Sequence, residues 1–247
     1  MSSFYTTLTG LDAFHTQISQ ISNNMANLET TAYKSNGISF EEVLTETMTL
    51  NSATSPVAGK GVSILGSSTS WEQGDLLATG NTTDLAITGE GFFIVNDELA
   101  GGTTATYYTR DGGFQYRVDP ATSQATLLND YGMAVQGYVM DPAPGALGAL
   151  GDITVPTSYL RTDINDDGVV SGTDASGTVT NLFQLALAIF SSKDGLNKVN
   201  DGLYIATSAS GNAQVAAAGS GQVGSSPSGA LELSNVDMAS EMADLVI

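Results

Sequence analysis

The chain has 247 residues, 26 acidic against 7 basic, for a formal net charge of −19, and no cysteine. So few cations argue against nucleic-acid binding, which needs Lys and Arg on phosphates, and against docking on anionic lipid. The missing thiols exclude disulfides and thiolate chemistry, and 41% hydrophobic residues give enough apolar mass for one or two folded domains.

The first predicted element is a helix over residues 4–28, with Ser2 or Ser3 as its N-cap. Its apolar positions are Phe4, Leu8, Leu11, Phe14, Ile18, Ile21, Met25 and Leu28. From Leu11 the steps alternate strictly between three and four, the signature of a seam that packs on other helices. The segment carries one formal charge, Asp12, and Thr, Ser, Asn and Gln replace the usual Glu, Lys and Arg. A helix of this length reaches roughly 37 Å and needs partners on more than one side. No basic region precedes a continuous apolar run, so no cleavable signal peptide is read here, and no stretch is long and apolar enough for a transmembrane helix.

Residues 35–72 read as an extended connector with a short helix around Phe40–Thr47. From about residue 73 the pattern turns to β. Leu85 and Ile87 alternate, Phe92 to Val95 form a buried run after Gly89-Glu90-Gly91, and Tyr107 to Arg110 precede the turn Asp111-Gly112-Gly113. Phe114, Tyr116 and Val118 alternate next. Asn129-Asp130-Tyr131-Gly132 is a further turn, and Met133 to Met140 a further strand. Phe183, Leu185, Leu187 and Ile189 alternate cleanly, and Leu203 with Ile205 marks one more strand. Many short strands with Gly/Asp/Asn turns predict a compact, sandwich- or barrel-like β domain over 73–225, with 141–181 a small insertion or acidic loop region. Residues 226–247 read as the start of a C-terminal helix, capped through Ser234 and Asp237 and continuing one face with Met238, Met242 and Leu245. A helix of about ten residues is marginal alone in water and must dock on something.

Candidate chemistry is sparse. His15 is the single histidine, which with no cysteine leaves no zinc site or catalytic triad. The glycines of GEGFF lack a following Lys-Ser/Thr and are read as turn chemistry. One loop has metal-ligand spacing: Asp163, Asn165, Asp167, the Val169 carbonyl and Asp174 fall at positions one, three, five, seven and twelve of an EF-hand-type loop. Calcium there, rigidifying an outward loop, is weighed against a plain acidic turn. No nucleophile–base pair suggests an enzyme.

Three motifs carry a resemblance. The stretch LTGLDAFHTQISQISNNMANLETTAYKSNGISF contains Ser22, Asn23, Asn24, Met25, Ala26, Asn27, Thr31, Tyr33 and Lys34 in the pattern Ser-Asn-Asn-hydrophobic-Ala-Asn, then Thr, an aromatic and Lys. GNTTDLAITGEGFFIV with YYTRDGGFQ is the second, and SGALELSNVDMASEM the third. Together they resemble the bacterial flagellar hook and basal-body rod axial proteins. ALAIFSSKDGLNKVNDGLY and the Asn-Asp form of the third motif look closer to hook protein. Hook proteins usually carry a second β domain, for which only 141–181 is available, so the compact size is more rod-like. Members continue past the third motif with a long helix; here the chain ends at Ile247.

The resemblance implies a mainly β fold with terminal α-helices. The helices pair as a coiled-coil-like inner domain (1–34 with 226–247), and the β domain lies outside. It implies subunits that self-assemble into a helical torque-transmitting tube, contact neighbouring axial proteins, and leave by the type III export apparatus without a cleaved signal. It implies ends that are disordered in the monomer and order on assembly. Phe4 and Leu8, as F-x-x-x-L, match the export-gate motif. A hook subunit is the first expectation and a rod subunit the second. A calcium-dependent extracellular binding module is the rival of another class.

Overall fold

The computed structural model describes residues 2–42, 61–99, 103–120, 122–140, 147–200, 202–221 and 223–246, and the chain divides into two compact units. One comprises residues 1–29, 34–71 and 236–247; the other comprises 30–33 and 72–235.

The first unit holds helix α1 (Ser2–Ala26), an antiparallel ribbon of strands β1 (Asn36–Glu42) and β2 (Val62–Thr69), and helix α2 (Met238–Val246). The ribbon replaces the expected extended connector. Ile38 and Phe40 alternate with Ser39 and Glu41, a period of two that suits a strand, so Phe40 to Glu42 are extended rather than helical. Residues 43–47 of that predicted helix lie outside the described residues. Ser2 belongs to the first turn of α1 instead of capping it. The C-terminal helix starts at Met238, not near 226, because Asp237 rather than Ser234 is the cap: its Oδ1 accepts the Ala239 N–H at 2.9 Å.

α1 contacts β1, β2 and α2 mainly through a face beside the Phe4–Ile18 part of its apolar stripe, which stays exposed. Ala13, Ile21 and Asn24 are buried, and Thr6, Thr9, Gly10, Thr16, Gln17 and Gln20 are half-buried. Their spacing is also helical, but apart from Ile21 the side chains are small or amide, which lets the ribbon come close. At Gly61, φ is +111° and a Cβ would lie 2.1 Å from Thr9 Oγ1, so only glycine fits beneath the helix.

The second unit contains strands β3 (Leu76–Ala78), β4 (Phe92–Leu99), β5 (Thr103–Thr109), β6 (Gln115–Asp119), β7 (Gln124–Leu128), β8 (Ala134–Met140), β9 (Leu147–Asp152), β10 (Thr154–Pro156), β11 (Arg161–Ile164), β12 (Val169–Thr173), β13 (Val179–Ile189), β14 (Asn197–Asn200), β15 (Leu203–Ile205), β16 (Gln214–Ala217) and β17 (Ala230–Glu232). Thirteen of them form one curled sheet with the path β10-β7-β8-β13-β4-β5-β15-β14, and β17 pairs with β3. β13 is its hub, pairing with β4, β8, β12 and β16. Within 141–181, expected as a small insertion or acidic loop region, strands β9 to β12 pair into this sheet.

Both faces are covered at the hub, so Leu185, Ala186, Leu187 and Ala188 are all fully buried. On one face Phe93 meets Phe114 edge-on at 5.0 Å, with Leu85, Ile87, Leu127, Val135 and Ile153 around them. On the other, Phe92, Tyr108, Phe190 and Tyr204 make edge contacts at 4.8–6.0 Å. Burial on two sides explains why Phe92 to Val95 read as a continuous apolar run. A Cβ at Gly112 would lie 1.6 Å from the Leu85 carbonyl oxygen, which fixes glycine in the turn after β5.

Candidate functional site

The apolar stripe of α1 faces out. Phe4 is 77% exposed, Leu11 67% and Phe14 63%, and Leu8 and Ile18 are exposed too. Ile21 is buried, while Met25 and Leu28 are half-buried. On α2, Met238, Met242, Leu245 and Val246 are exposed, and the helix has no buried residue. The unit therefore presents two low-charge apolar helix surfaces. α1 and α2 touch, but this does not enclose the seam expected between them. A set of exposed large apolar side chains on this scale marks a docking surface.

The named bond between the two helices is polar. Asn24 is 3% exposed. Its Nδ2 donates to Asn36 O at 3.0 Å and to Glu241 Oε1 at 2.8 Å; its Oδ1 accepts from Asn36 N at 3.1 Å and Gln20 Nε2 at 3.3 Å. Both donors and both acceptor positions of the carboxamide are used. The opposite amide orientation would set its oxygen against a carbonyl and a carboxylate. Gln17, Gln20, Ile21, Glu241 and Asp244 line a cavity of about 170 Å³ beside it.

The other motif residues are dispersed. Ser22 is exposed and donates its hydroxyl to Ile18 O at 2.8 Å, and Ala26 is exposed. Asn27 Nδ2 and N both donate to the carbonyl of Asn23, satisfying the end of α1. Thr31 and Tyr33 belong to the β unit. Thr31 Oγ1 donates to Asp111 Oδ1 at 3.0 Å, Tyr33 O accepts from Asn235 N, and the Tyr33 ring lies 4.6 Å beneath Lys198 Nζ. Lys34 is buried.

One polar feature of the β unit has no local signal in the sequence. Arg110 Nη1 pairs with Glu232 Oε2 at 3.2 Å, both nearly inaccessible, while Nη2 donates to Gly89 O at 2.6 Å. Glu232 Oε1 accepts from Gly74 N and its carbonyl from Ala32 N. Arg110 also lies 5.7 Å over the Phe92 ring. Every strong group has a partner, so this is a structural tie between distant segments. Nearby, burial raises the Asp111 carboxyl above its ordinary value, against hydrogen bonds from Gly113 and Thr31 that lower it.

The candidate calcium residues do not converge. They lie on a hairpin in which Asp163 faces Ser171 and Arg161 faces Thr173, so Asp174 follows its far end. The strand Val169–Thr173 puts roughly 16 Å of extended chain between Asp167 and Asp174, at about 3.3 Å per residue. Calcium ligands must all lie about 2.3–2.6 Å from one point. Their oxygens are also engaged: Asp163 pairs with Arg161, Asn165 Oδ1 accepts from Asp167 N and Val169 N, and Val169 O accepts from Asn165 N. Asp174 Oδ1 accepts from Ser176 and Thr178, which holds its carboxyl below the usual range. Among the described residues, no group of three or more His, Cys, Asp or Glu side chains is placed to hold a metal.

Residues 86–172 match the family model described as the flagellar hook protein FlgE/F/G D1 domain. The chain is 31% identical to the flagellar basal-body rod protein FlgG of Bacillus subtilis over 259 residues, 100% of this chain and 89% of that protein. It is 32% identical to FlgG of Buchnera aphidicola over 256 residues, 99% and 89% of the two chains. It is 29% identical to the flagellar hook protein FlgE of Salmonella typhimurium over 167 residues, 57% of this chain and 41% of that one.

Proposed function

The chain belongs to the flagellar hook and rod axial protein family, and we propose that within it the protein is a rod subunit of the flagellar basal body. It is a structural protein of the hook–basal-body region, not an enzyme. The observation that carries the mechanism is the outward apolar stripe of α1, Phe4 to Ile18, on a nearly uncharged helix. Other copies of the chain cover it. Head-to-tail contacts between unlike patches do not close on themselves and so build a helical tube, with α1 and α2 as its coiled-coil-like inner layer. The neutral polar side chains of α1, with Asp12 its one formal charge, leave little fixed charge there to trap a chain passing through the tube.

The rod reading rests on length. The alignment to the Bacillus subtilis rod protein covers 100% of this chain and 89% of that protein, whereas the alignment to the hook protein covers 57% and 41%. A hook subunit is the second reading, supported by the hook-like stretch over residues 186–204. Immunogold labelling of isolated flagella separates the two: label on the rod supports the first, and label confined to the hook sinks it. Electron microscopy of the purified chain tests the mechanism, with assembled tubes expected and none after deletion of residues 2–26.

Export without a cleaved signal is part of the same reading, with Phe4 and Leu8 as the exposed recognition pair. Replacing both with alanine is expected to retain the protein inside the cell; undiminished secretion would remove them from that role. The rival calcium-dependent module predicts a higher melting temperature at millimolar calcium, and the hairpin geometry predicts no shift.

A further inference from the structure

Asn24 has more hydrogen-bond partners than a helix surface residue needs. It lies on α1, it clasps both backbone groups of Asn36 on β1, and its second amide hydrogen reaches Glu241 on α2. α2 brings no buried side chain of its own to this contact. An apolar helix contact slides at little cost, because dispersion and burial are not directional. A buried amide donor is different, since leaving it unpaired is penalised. If α2 slipped by one turn, about 5.4 Å, the Glu241 carboxylate would be carried away from Asn24. Met238 and Leu245, one turn on, accept no hydrogen bond, and Asp244, which lines the same cavity, has a side chain one methylene shorter.

We propose that Asn24 is a positioning residue. It fixes the register of α2 against α1 and β1, and thereby the spacing of the apolar side chains that the helices present to other copies. The proposal rests on the assembly reading for its consequence, but not for its geometry. A single polar residue that sets helix register at some cost in stability is a known device of helical assemblies. Only asparagine satisfies this position: aspartate would lose both donors and face the Glu241 carboxylate, and leucine would leave Asn36 N and O without their partner.

The chain has no cysteine, so labels placed at Asp12→Cys and Ala243→Cys, both on exposed positions, report the register by electron–electron double resonance on the unassembled chain. The wild type is expected to give one narrow distance. Asn24→Leu and Glu241→Leu are expected to broaden it or add a second distance about 5 Å away, and to build tubes of unequal diameter. Glu241→Gln keeps an acceptor oxygen and is expected to restore the narrow distance, which a mere packing role would not require. Should Asn24→Leu fail to fold, Glu241→Leu, at a half-buried position, still decides. A narrow, unshifted distance in Glu241→Leu overturns the proposal, whatever the tubes do. If the wild type shows the narrow distance yet never assembles, the register role stands and the assembly reading fails.

Discussion

The two units use their apolar residues in opposite ways. In the β unit, Leu85, Ile87, Phe93, Leu185 and Leu187 are fully enclosed by the chain itself. In the helical unit the large apolar residues Phe4, Leu8, Leu11, Phe14 and Ile18 are exposed, and Ala13, Ile21 and Asn24 are buried instead. Both patterns are regular in the sequence. The difference teaches that hydrophobic periodicity reports burial in the final state, and on the assembly reading the final state of the helices includes more than one chain. A stripe that a single copy leaves in water is a binding surface written in the same code as a core.

The largest expected effects fall where the β unit is self-sufficient. Glu232→Ala strands the Arg110 guanidinium in a site 5% accessible and removes the acceptor for Gly74 N. A loss of about 3–5 kcal/mol is expected from breaking a buried pair on one side, read by denaturant unfolding of the unassembled chain. Leu187→Ala opens a cavity at the sheet hub and is expected to cost about 2–5 kcal/mol. If either left the unfolding midpoint within error, the contrast between a sealed β unit and an open helical one would lose its first half.

The sequence made much of this legible, for identifiable reasons. Alternation at Leu185 and Leu187 and the Asp/Gly turns around Asp111 gave the strands, because period two and turn residues are local signals. The helix at 4–28 was equally plain, ending two residues earlier than read. The ribbon of β1 and β2 was missed because its partner strand lies across residues 43–61, and register between distant segments leaves no local trace. The C-terminal helix was read too early because Ser234 and Asp237 are both capping residues, and only geometry shows which one caps. Asn24 was visible as part of a motif, but its role needs Asn36 and Glu241, brought together from residues 12 and 217 positions away. The Arg110–Glu232 pair was hidden for the same reason, 122 residues apart. The EF-hand spacing is a local signal too, but it does not show that β11 and β12 pair as a hairpin, with Asp163 opposite Ser171.

Smaller effects sharpen the comparison through pH. Asp111 is raised by burial and by the like charges of Asp130 and Asp84. A carboxyl whose folded value lies above its unfolded one binds more protons when folded, so its contribution to stability falls as pH rises from the unfolded value through the folded one. Asp111→Asn keeps the acceptor for Thr31 and Gly113 and stays neutral. It is expected to match the wild type in melting temperature near pH 3 and to exceed it slightly at pH 7. A variant less stable than the wild type at pH 7 would mean that the charge itself holds the turn.

The smallest effect on the single chain is the most informative. Leu11 and Ile18 are exposed on α1, and glutamine is nearly as good a helix former as leucine. Leu11→Gln combined with Ile18→Gln is therefore expected to move the unfolding free energy by no more than about 0.5 kcal/mol per site, as for other surface substitutions. Assembly, followed by sedimentation and electron microscopy, is expected to disappear. The two readouts respond to different neighbours: unfolding senses what one copy encloses, and sedimentation senses what other copies enclose. A large loss of single-chain stability would mean that the stripe is already packed within one copy. Unchanged assembly would mean that the tube is held elsewhere, and the open helical surface would then have no demonstrated use.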